Sequence, residues 1–191
     1  GDGVQFGNSL SSLSADMISL QGNIIGLKTD KSRILANGGH GIYLDLTSNV
    51  SIGDNTATTF SAKSNIISGN VLNGIEITNK AKDIDVYYNR VGTDATGKIA
   101  MPNTIGISMT GANNNNLIGN LISGNTSHGI SVFQASGLTN PNTISKNVIG
   151  TNEDSYSLVA ATADAALALP NGGNGINLDN CNKNIISNTY K

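Results

Sequence analysis

Two aspartates separated by a single residue are the side chains of this chain that are best suited to acid–base catalysis or metal binding. Asp83 and Asp85 alternate onto one face of an extended segment, and Glu76 or Asp94 could come within reach through the neighbouring turns. Two carboxyl groups can protonate a glycosidic oxygen and activate water, and several carboxylates can hold a Ca²⁺ ion. The alternative interpretation is that this segment is only the most charged exposed patch of a weakly charged surface.

Cationic side chains stand close to these carboxylates in the sequence. A polysaccharide lyase that uses a bound Ca²⁺ also needs a base beside the ion. The candidates for this base are Lys80, Lys82 and Arg90. A second pair of aspartates, Asp45 and Asp179, occupies equivalent positions of a repeat described below. Because three other repeats separate them, we expect about 19 Å between these two residues, which is too far for cooperation.

A polar ladder with one aromatic residue is the candidate binding surface. Sugar rings stack on aromatic side chains and form hydrogen bonds with polar ones. The candidate glycan contacts are therefore Tyr43 and Glu76. The ladder consists of the third residue of each repeat, which is the side chain predicted to face outward: Gln5, Tyr43, Glu76, Ser108, Ser131 and Asn177.

The elements that position these residues are predicted by a repeated pattern of glycine, an apolar residue, a variable residue and a second apolar residue. Side chains alternate along a strand, so each copy points two apolar groups inward and one residue outward. Short constant strands with irregular spacing are typical of a stacked solenoid. The copies begin at Gly3, Gly41, Gly74, Gly106, Gly129 and Gly175.

Two further recurring segments indicate how many strands each coil of the solenoid contains. The second strand begins at asparagine or aspartate, as in Asn49-Val50-Ser51-Ile52, Asp83-Ile84-Asp85-Val86 and Asn115-Asn116-Leu117-Ile118, which aligns Asn115 with Asp83. The third begins at asparagine, as in Asn65-Ile66-Ile67. Three strands in each repeat predict a triangular coil, and stacked coils predict an all-β, single-domain parallel β-helix over 1–191, with about six coils. The asparagines at the turns are expected to form hydrogen-bonded ladders.

The insertions and the chain ends bear on how the rod is used. Longer loops open after the third strand at Gly26, Gly92 and Gly150, which predicts long loops at one corner, either as a binding face or as tolerated decoration. The alanine-rich segment from Val159 to Leu169 could form a helical turn. Without a covering segment at the last repeat, we expect a fragment of a longer solenoid that stacks on further coils or on a second copy.

Composition excludes several classes of partner. The chain has 191 residues, a formal charge of −2 and 13% charged residues, with no basic stripe, so nucleic-acid binding is not expected. No apolar run reaches the 18 or so residues of a membrane span. A single cysteine, Cys181, cannot form an internal disulfide, and its position favours a thiol at an edge or turn. No cofactor or metal is predicted, apart from Ca²⁺ if the chain is a lyase.

Several phrases carry a family resemblance that covers nearly the whole chain. Asn65-Ile-Ile-Ser-Gly-Asn70 and Asn120-Leu-Ile-Ser-Gly-Asn125 resemble the right-handed parallel β-helix repeats of pectin-lyase-like proteins, especially those of large surface and secreted proteins. The resemblance implies a right-handed helix, an extracellular setting and a carbohydrate substrate or ligand. Hydrolases of this family use a Gly-His-Gly segment, which makes His40 of Gly39-His40-Gly41 a catalytic candidate. However, Ser127-His128-Gly129 has a histidine at the same position of the repeat, which favours a turn role. Their companion motifs do not appear in the expected order.

The prediction from the sequence is therefore a secreted or surface-displayed β-helix module with a structural or glycan-contacting, adhesin-like role. The first alternative is a polysaccharide lyase, glycoside hydrolase or epimerase whose site lies on the Asp83 to Asp94 side. The second is a segment of a viral or phage fibre, which would require trimerisation. The same rod serves all of these roles, so the fold does not choose among them.

Overall fold

The computed structural model of the chain describes residues 1–7, 17–31, 33–133, 140–157, 167–181 and 183–187. Within these ranges the regular secondary structure consists of short β-strands joined by turns and loops, with one 3-10 helix at Glu153–Ser157. In chain order the strands are β1 (Val4–Gly7), β2 (Ile18–Leu20), β3 (Ile24–Ile25), β4 (Ile42–Asp45), β5 (Ser48–Gly53), β6 (Ile66–Ile67), β7 (Ile75–Thr78), β8 (Lys82–Tyr87), β9 (Arg90–Val91), β10 (Ile107–Thr110), β11 (Asn116–Ile118), β12 (Leu121–Ile122), β13 (Ile130–Phe133), β14 (Thr143–Ser145), β15 (Val148–Ile149), β16 (Ile176–Asp179) and β17 (Ile185–Ser187).

Every third strand belongs to the same sheet, and all pairs are parallel. The first sheet has the order β1-β4-β7-β10-β13-β16, the second β2-β5-β8-β11-β14-β17 and the third β3-β6-β9-β12-β15. Equivalent residues lie directly over one another: Ile42 pairs with Ile75, and Ile75 with Ile107. This topology confirms the predicted all-β parallel β-helix of about six coils with three short strands per coil. We number the coils 1 to 6 from the repeat glycine that begins each of them.

The interior is filled by the apolar residues of the repeat. In the middle coils these side chains are completely buried, as Ile75, Ile107 and Ile130 show. The predicted inward columns are thus confirmed, and the burial of a leucine or isoleucine stabilises the fold by about 1.5–3 kcal/mol. Toward the ends of the rod the same positions open to solvent, and Leu178 in coil 6 is 45% exposed.

Asparagine side chains form ladders at the three corners, as predicted. In the ladder before the third strand, the amide of Asn65 donates to Asn89 Oδ1 (2.8 Å), and the amide of Asn89 donates to Asn120 Oδ1 (3.1 Å). The backbone N–H of each of these asparagines also donates to the side-chain oxygen of the asparagine one coil further on. These bonds satisfy polar groups that are buried in the turns. The three ladders are Asn23-Asn65-Asn89-Asn120-Asn147, Asn37-Asn70-Asn103-Asn125-Asn171 and Asn115-Asn142-Asn184.

The second sheet differs from the sequence prediction in two ways. Coil 1 also contributes a strand to it, β2, which the sequence pattern did not assign. The register also shifts by one residue: Asn116 pairs with Asp85 and Leu117 with Val86, so that Asn115 stands level with Ile84 rather than with Asp83. The reason is that apolar residues align with apolar residues in the core, whereas the prediction aligned the polar residue before each strand.

Longer loops do open at one corner, and they alternate with tight turns. After the third strand, coils 1, 3 and 5 each make an antiparallel bridge, between Leu27 and Ile34, Thr93 and Ala100, and Thr151 and Ala168. Coils 2 and 4 have Ser-Gly-Asn turns instead. Ser68 and Ser123 of these turns donate from their hydroxyls to the Thr93 and Thr151 carbonyl oxygens (2.7 and 2.8 Å), which joins each tight turn to the following long loop.

Not every long loop lies at that corner. Residues 54–65 of coil 2 connect its second and third strands, where coil 1 uses a short turn. Asp54 organises this loop by accepting a hydrogen bond from the Thr56 hydroxyl (2.6 Å) and one from the Ser61 hydroxyl (3.2 Å). The alanine-rich segment for which a helical turn is predicted falls mainly on 158–166, outside the described residues.

Candidate functional site

A groove on the outer face of the second sheet is the candidate site. It has a volume of about 450 Å³ and is lined by β2, β5, β8 and β11, so it crosses four coils. Asp83 and Asp85 both line it, as their alternation along β8 predicts. Its further polar lining residues include Ser51, Asn114 and Asn116.

The backbone explains part of this lining. Asn49, Asp83 and Asn114 each precede a buried residue in successive coils. Their φ angles are all positive, at 59°, 56° and 56° respectively. Aspartate and asparagine adopt this left-handed conformation more readily than other side chains apart from glycine. The identity of Asp83 therefore has a conformational cause. Asp85, which lies within the regular strand, has no such cause.

Each groove carboxylate is paired with an amide of the next coil. The Asn116 amide donates to Asp85 Oδ1 (2.8 Å), and the Asn114 amide donates to Asp83 Oδ1 in the same way. Lys82 Nζ lies 3.8 Å from Asp83 Oδ2, and its side chain is 58% exposed. The Asp85 side of the groove therefore carries a carboxylate that is held in place by a neutral partner.

Tyr87 lies at the end of β8 beside Asp85. Its hydroxyl donates a long hydrogen bond to Asp85 Oδ1 (3.4 Å). Burial, the charge of Asp85 and this hydrogen bond together raise the pKa of Tyr87 to about 12. At neutral pH Tyr87 is thus a neutral donor directed at the carboxylate.

Arg90 does not lie with these carboxylates but on the third sheet. Its Nε and one terminal nitrogen donate to the Glu153 carboxylate (2.5 and 2.7 Å), and its guanidinium stands 4.4 Å from the centre of the Phe60 ring. Arg90 thereby connects the loop of coil 2 and the 3-10 helix of coil 5 to the rod. This geometry is that of a structural clamp.

Asp94 lies in the long loop of coil 3, where it closes a turn. Its carboxylate accepts hydrogen bonds from the Thr96 hydroxyl (2.7 Å) and from the N–H groups of Lys98 and Ile99 (3.0 and 3.1 Å). Burial alone would raise the pKa of Asp94, but these hydrogen bonds outweigh it and lower the pKa below its ordinary value. The sequence suggests that Asp94 could reach Asp83. In the structure the Asp94 carboxylate is instead hydrogen-bonded within its own loop.

His40, Tyr43 and Glu76 form a second cluster, on the outer face of the first sheet. The His40 and Tyr43 rings stack, with centroids 5.4 Å apart and planes at 19°. Tyr43 and Glu76 are neighbours across β4 and β7. Burial and the nearby carboxylates of Asp45, Glu76 and Asp2 raise the pKa of Tyr43. The row of outward-facing polar residues on the first sheet is less exposed to solvent than the sequence predicts, since Glu76 is only 9% exposed.

The two histidines play the same part in two coils. His40 Nδ1 accepts the backbone N–H of Asn73 (3.3 Å), and His128 Nδ1 accepts that of Asn174 (3.0 Å). In both places the asparagine amide then donates to the outward residue three positions on, which is Glu76 in one coil and Asn177 in the other. This repetition supports the turn role that the sequence favours for His40.

Sequence reasoning missed the amide half of the groove. Asn114 and Asn116 belong to a run of four asparagines, and only the correct register shows that these two face the groove while Asn115 joins a buried ladder. The signal that could have found them is the core itself. Aligning Val86 with Leu117 brings Asn116 beside Asp85.

Among the described residues, no group of three or more His, Cys, Asp or Glu side chains lies close enough to hold a metal ion. Those residues also include no helix with the length and apolar character of a membrane span. Comparison of the chain with models of protein families, with curated proteins and with solved structures finds no match in any of the three.

Proposed function

We propose that this chain is a structural and glycan-contacting module of a larger secreted or surface-displayed protein, and that the groove of the second sheet is its contact surface. The observation that carries this proposal is the row of fixed polar groups in a concave site. Asp83 and Asp85, each held by an amide of the next coil, line a groove of about 450 Å³. This volume lies within the range of small-ligand sites.

Several features support a saccharide as the ligand. Saccharides present many hydroxyl groups, and preorganised carboxylates and amides bind hydroxyls without paying for reordering on association. The resemblance to pectin-lyase-like repeats favours an extracellular setting and a carbohydrate ligand. The groove runs across four coils, so a linear ligand would lie along the rod.

The test is binding of the purified chain to an array of immobilised glycans, followed by titration calorimetry with each glycan that binds. The expected result is binding that is weakened at least tenfold by Asp85→Ala. The matched control is Asp45→Ala, because the Asn79 amide donates to Asp45 Oδ1 (2.7 Å) in a similar pair outside the groove, on the first sheet. Equal loss in both variants, or no glycan bound, would overturn the proposal.

The two alternatives are tested with the same material. Reducing-sugar and unsaturated-product assays over a panel of polysaccharides, with and without Ca²⁺, report a hydrolase or a lyase. If turnover occurs but is unchanged in Asp83→Ala and Asp85→Ala, these aspartates are not its catalytic groups. Sedimentation equilibrium tests the fibre alternative, which requires a trimer.

A further inference from the structure

We infer that the groove is selective for uncharged, hydroxyl-rich saccharides and rejects polyuronates. This inference rests on the proposed function and adds the class of ligand to it. It follows from the charges and the hydrogen-bonding groups of the groove rather than from its shape.

The charge of the groove is negative. Its lining contains two carboxylates, Asp83 and Asp85, and among the lining residues in the described part of the chain there is no lysine or arginine. Lys82, the first residue of the same strand, has its ammonium group 3.8 Å from Asp83 Oδ2 and is largely exposed to water. A bound uronate would therefore bring its carboxylate next to two like charges, of which only that of Asp83 is partly offset, by the exposed Lys82 ammonium. Such repulsion is an effective source of specificity.

Several donors at the groove are already used within the protein. The Asn114 and Asn116 amides donate to the two carboxylates, the Tyr87 hydroxyl donates to Asp85, and the Gln21 amide donates to the Gly53 carbonyl oxygen (3.1 Å). An ionised carboxylate has room for about four hydrogen bonds, and an amide oxygen accepts about two. Serine and asparagine side chains elsewhere in the lining can still donate, but both charged groups of the groove, Asp83 and Asp85, are acceptors. A ligand that binds to these carboxylates must therefore supply donors.

Sugar hydroxyls meet this requirement, because each brings its own O–H donor. Adjacent hydroxyls of one ring can donate to one carboxylate, in the bidentate manner that strengthens hydrogen bonds to charged acceptors. The lining strands β2, β5, β8 and β11 span three strand spacings, roughly 14 Å, so the site would hold a short oligosaccharide segment. An amino sugar would also supply donors, and its positive charge makes it the competing ligand class.

The experiment compares three sets of soluble polymers in titrations against the intact chain: neutral glucan, mannan and xylan; polygalacturonate and alginate; and chitosan. We expect at least one neutral polymer to bind at least tenfold more tightly than either polyuronate, with little dependence on salt concentration. In Asp85→Asn the neutral ligand should lose about tenfold in affinity, because a hydrogen bond to a charged acceptor is replaced by a weaker one. The same variant should bind polyuronates no worse than the wild type does.

Each other outcome is decisive. Tighter binding of polyuronates than of neutral polymers overturns the inference but leaves the proposed glycan-contacting function intact. Tighter, salt-sensitive binding of chitosan overturns it in favour of a cationic ligand. Absence of binding to all polymers overturns the proposed function itself. Circular dichroism and thermal melting of Asp85→Asn check its fold, and Ser51→Tyr, which fills the groove without changing its charge, must abolish neutral binding independently.

Discussion

A methyl group built on Gly106 would lie only 2.5 Å from the carbonyl oxygen of Gly129 in the next coil. This close approach explains the repeated glycine, since an equivalent contact of 2.6–2.8 Å exists at Gly3, Gly41, Gly74 and Gly129. At these positions the carbonyl of one coil accepts the N–H that begins the first strand of the previous coil. The strand can therefore start only where no side chain stands between adjacent coils.

The first prediction concerns this contact. Gly106→Ala should lower the free energy of unfolding by about 3 kcal/mol or more, because a backbone oxygen cannot move aside without breaking the stack. Gly175→Ala is the matched control, since its nearest contact would be the flexible Ile149 side chain at 3.3 Å, and it should cost well under about 1 kcal/mol. Urea denaturation measures both. Equal effects at the two glycines would show that the repeat has another cause.

The glycine repeat is also the reason why so much of the fold could be predicted from the sequence. The close contact between coils recurs beside the inward apolar pair in each coil, so the two together leave a short pattern of adjacent residues that can be found without a structure. The register of the second sheet is different, because it depends on which residues of distant strands pack together. Asn115 and Asn116 are chemically identical in the sequence, yet one joins a buried ladder and the other lines the groove.

The candidate site shows the same division. The sequence predicts that Asp83 and Asp85 share a face, because alternation is a local property of a strand. It also predicts that Arg90 and Asp94 could join them, which proximity in sequence suggests. In the structure the chain turns a corner after β8, so Arg90 lies on the third sheet and Asp94 in the loop beyond it. A triangular coil separates in space what is adjacent in sequence.

The second prediction concerns the asparagine ladders. Asn89 is completely buried, and its side chain bonds to the Ile52 carbonyl oxygen (2.9 Å) as well as to the asparagines of the two neighbouring coils. Asn89→Ala should cost about 3 kcal/mol, because it leaves several buried groups without a partner.

Asn23→Ala removes a solvent-exposed member at the start of the same ladder and serves as the control. We expect it to cost less than about 1 kcal/mol, because water can replace the lost hydrogen bonds. Thermal and chemical denaturation give the comparison. A cost for Asn89→Ala as small as that for Asn23→Ala would mean that the ladders satisfy polar groups without stabilising the rod.

The third prediction is a dependence of stability on alkaline pH. Folding raises the pKa of Tyr87 from its ordinary 10.0 to about 12, so the folded chain keeps this proton at a pH where the unfolded chain has lost it. The stability that Tyr87 contributes is therefore complete below about pH 10 and is lost as the pH rises toward 12.

Tyr87→Phe removes this titration. Denaturation between neutral pH and the upper limit of reversible unfolding should show a shallower loss of stability in Tyr87→Phe than in the wild type. Spectroscopic titration of the tyrosines should show one late-ionising group fewer. If the two proteins lose stability in parallel above pH 10, burial and the neighbouring Asp85 carboxylate do not hold the phenol of Tyr87 in its neutral form.

The fourth prediction separates two ion pairs that join coil 3 to the 3-10 helix of coil 5. The Arg90 side chain is 14% exposed and makes two hydrogen bonds with Glu153, whereas Lys98 and Asp154 are each 52% exposed at 2.8 Å. Arg90→Lys should cost about 1–3 kcal/mol, since lysine cannot reproduce the forked contact and the stacking on Phe60. Lys98→Ala should change stability very little, because water screens an exposed pair.

Chemical denaturation at low and high salt is the measurement, and only the Lys98 pair should respond to salt. If Arg90→Lys proves harmless to folding yet abolishes turnover of a polysaccharide, Arg90 belongs to an active site and the clamp interpretation is wrong.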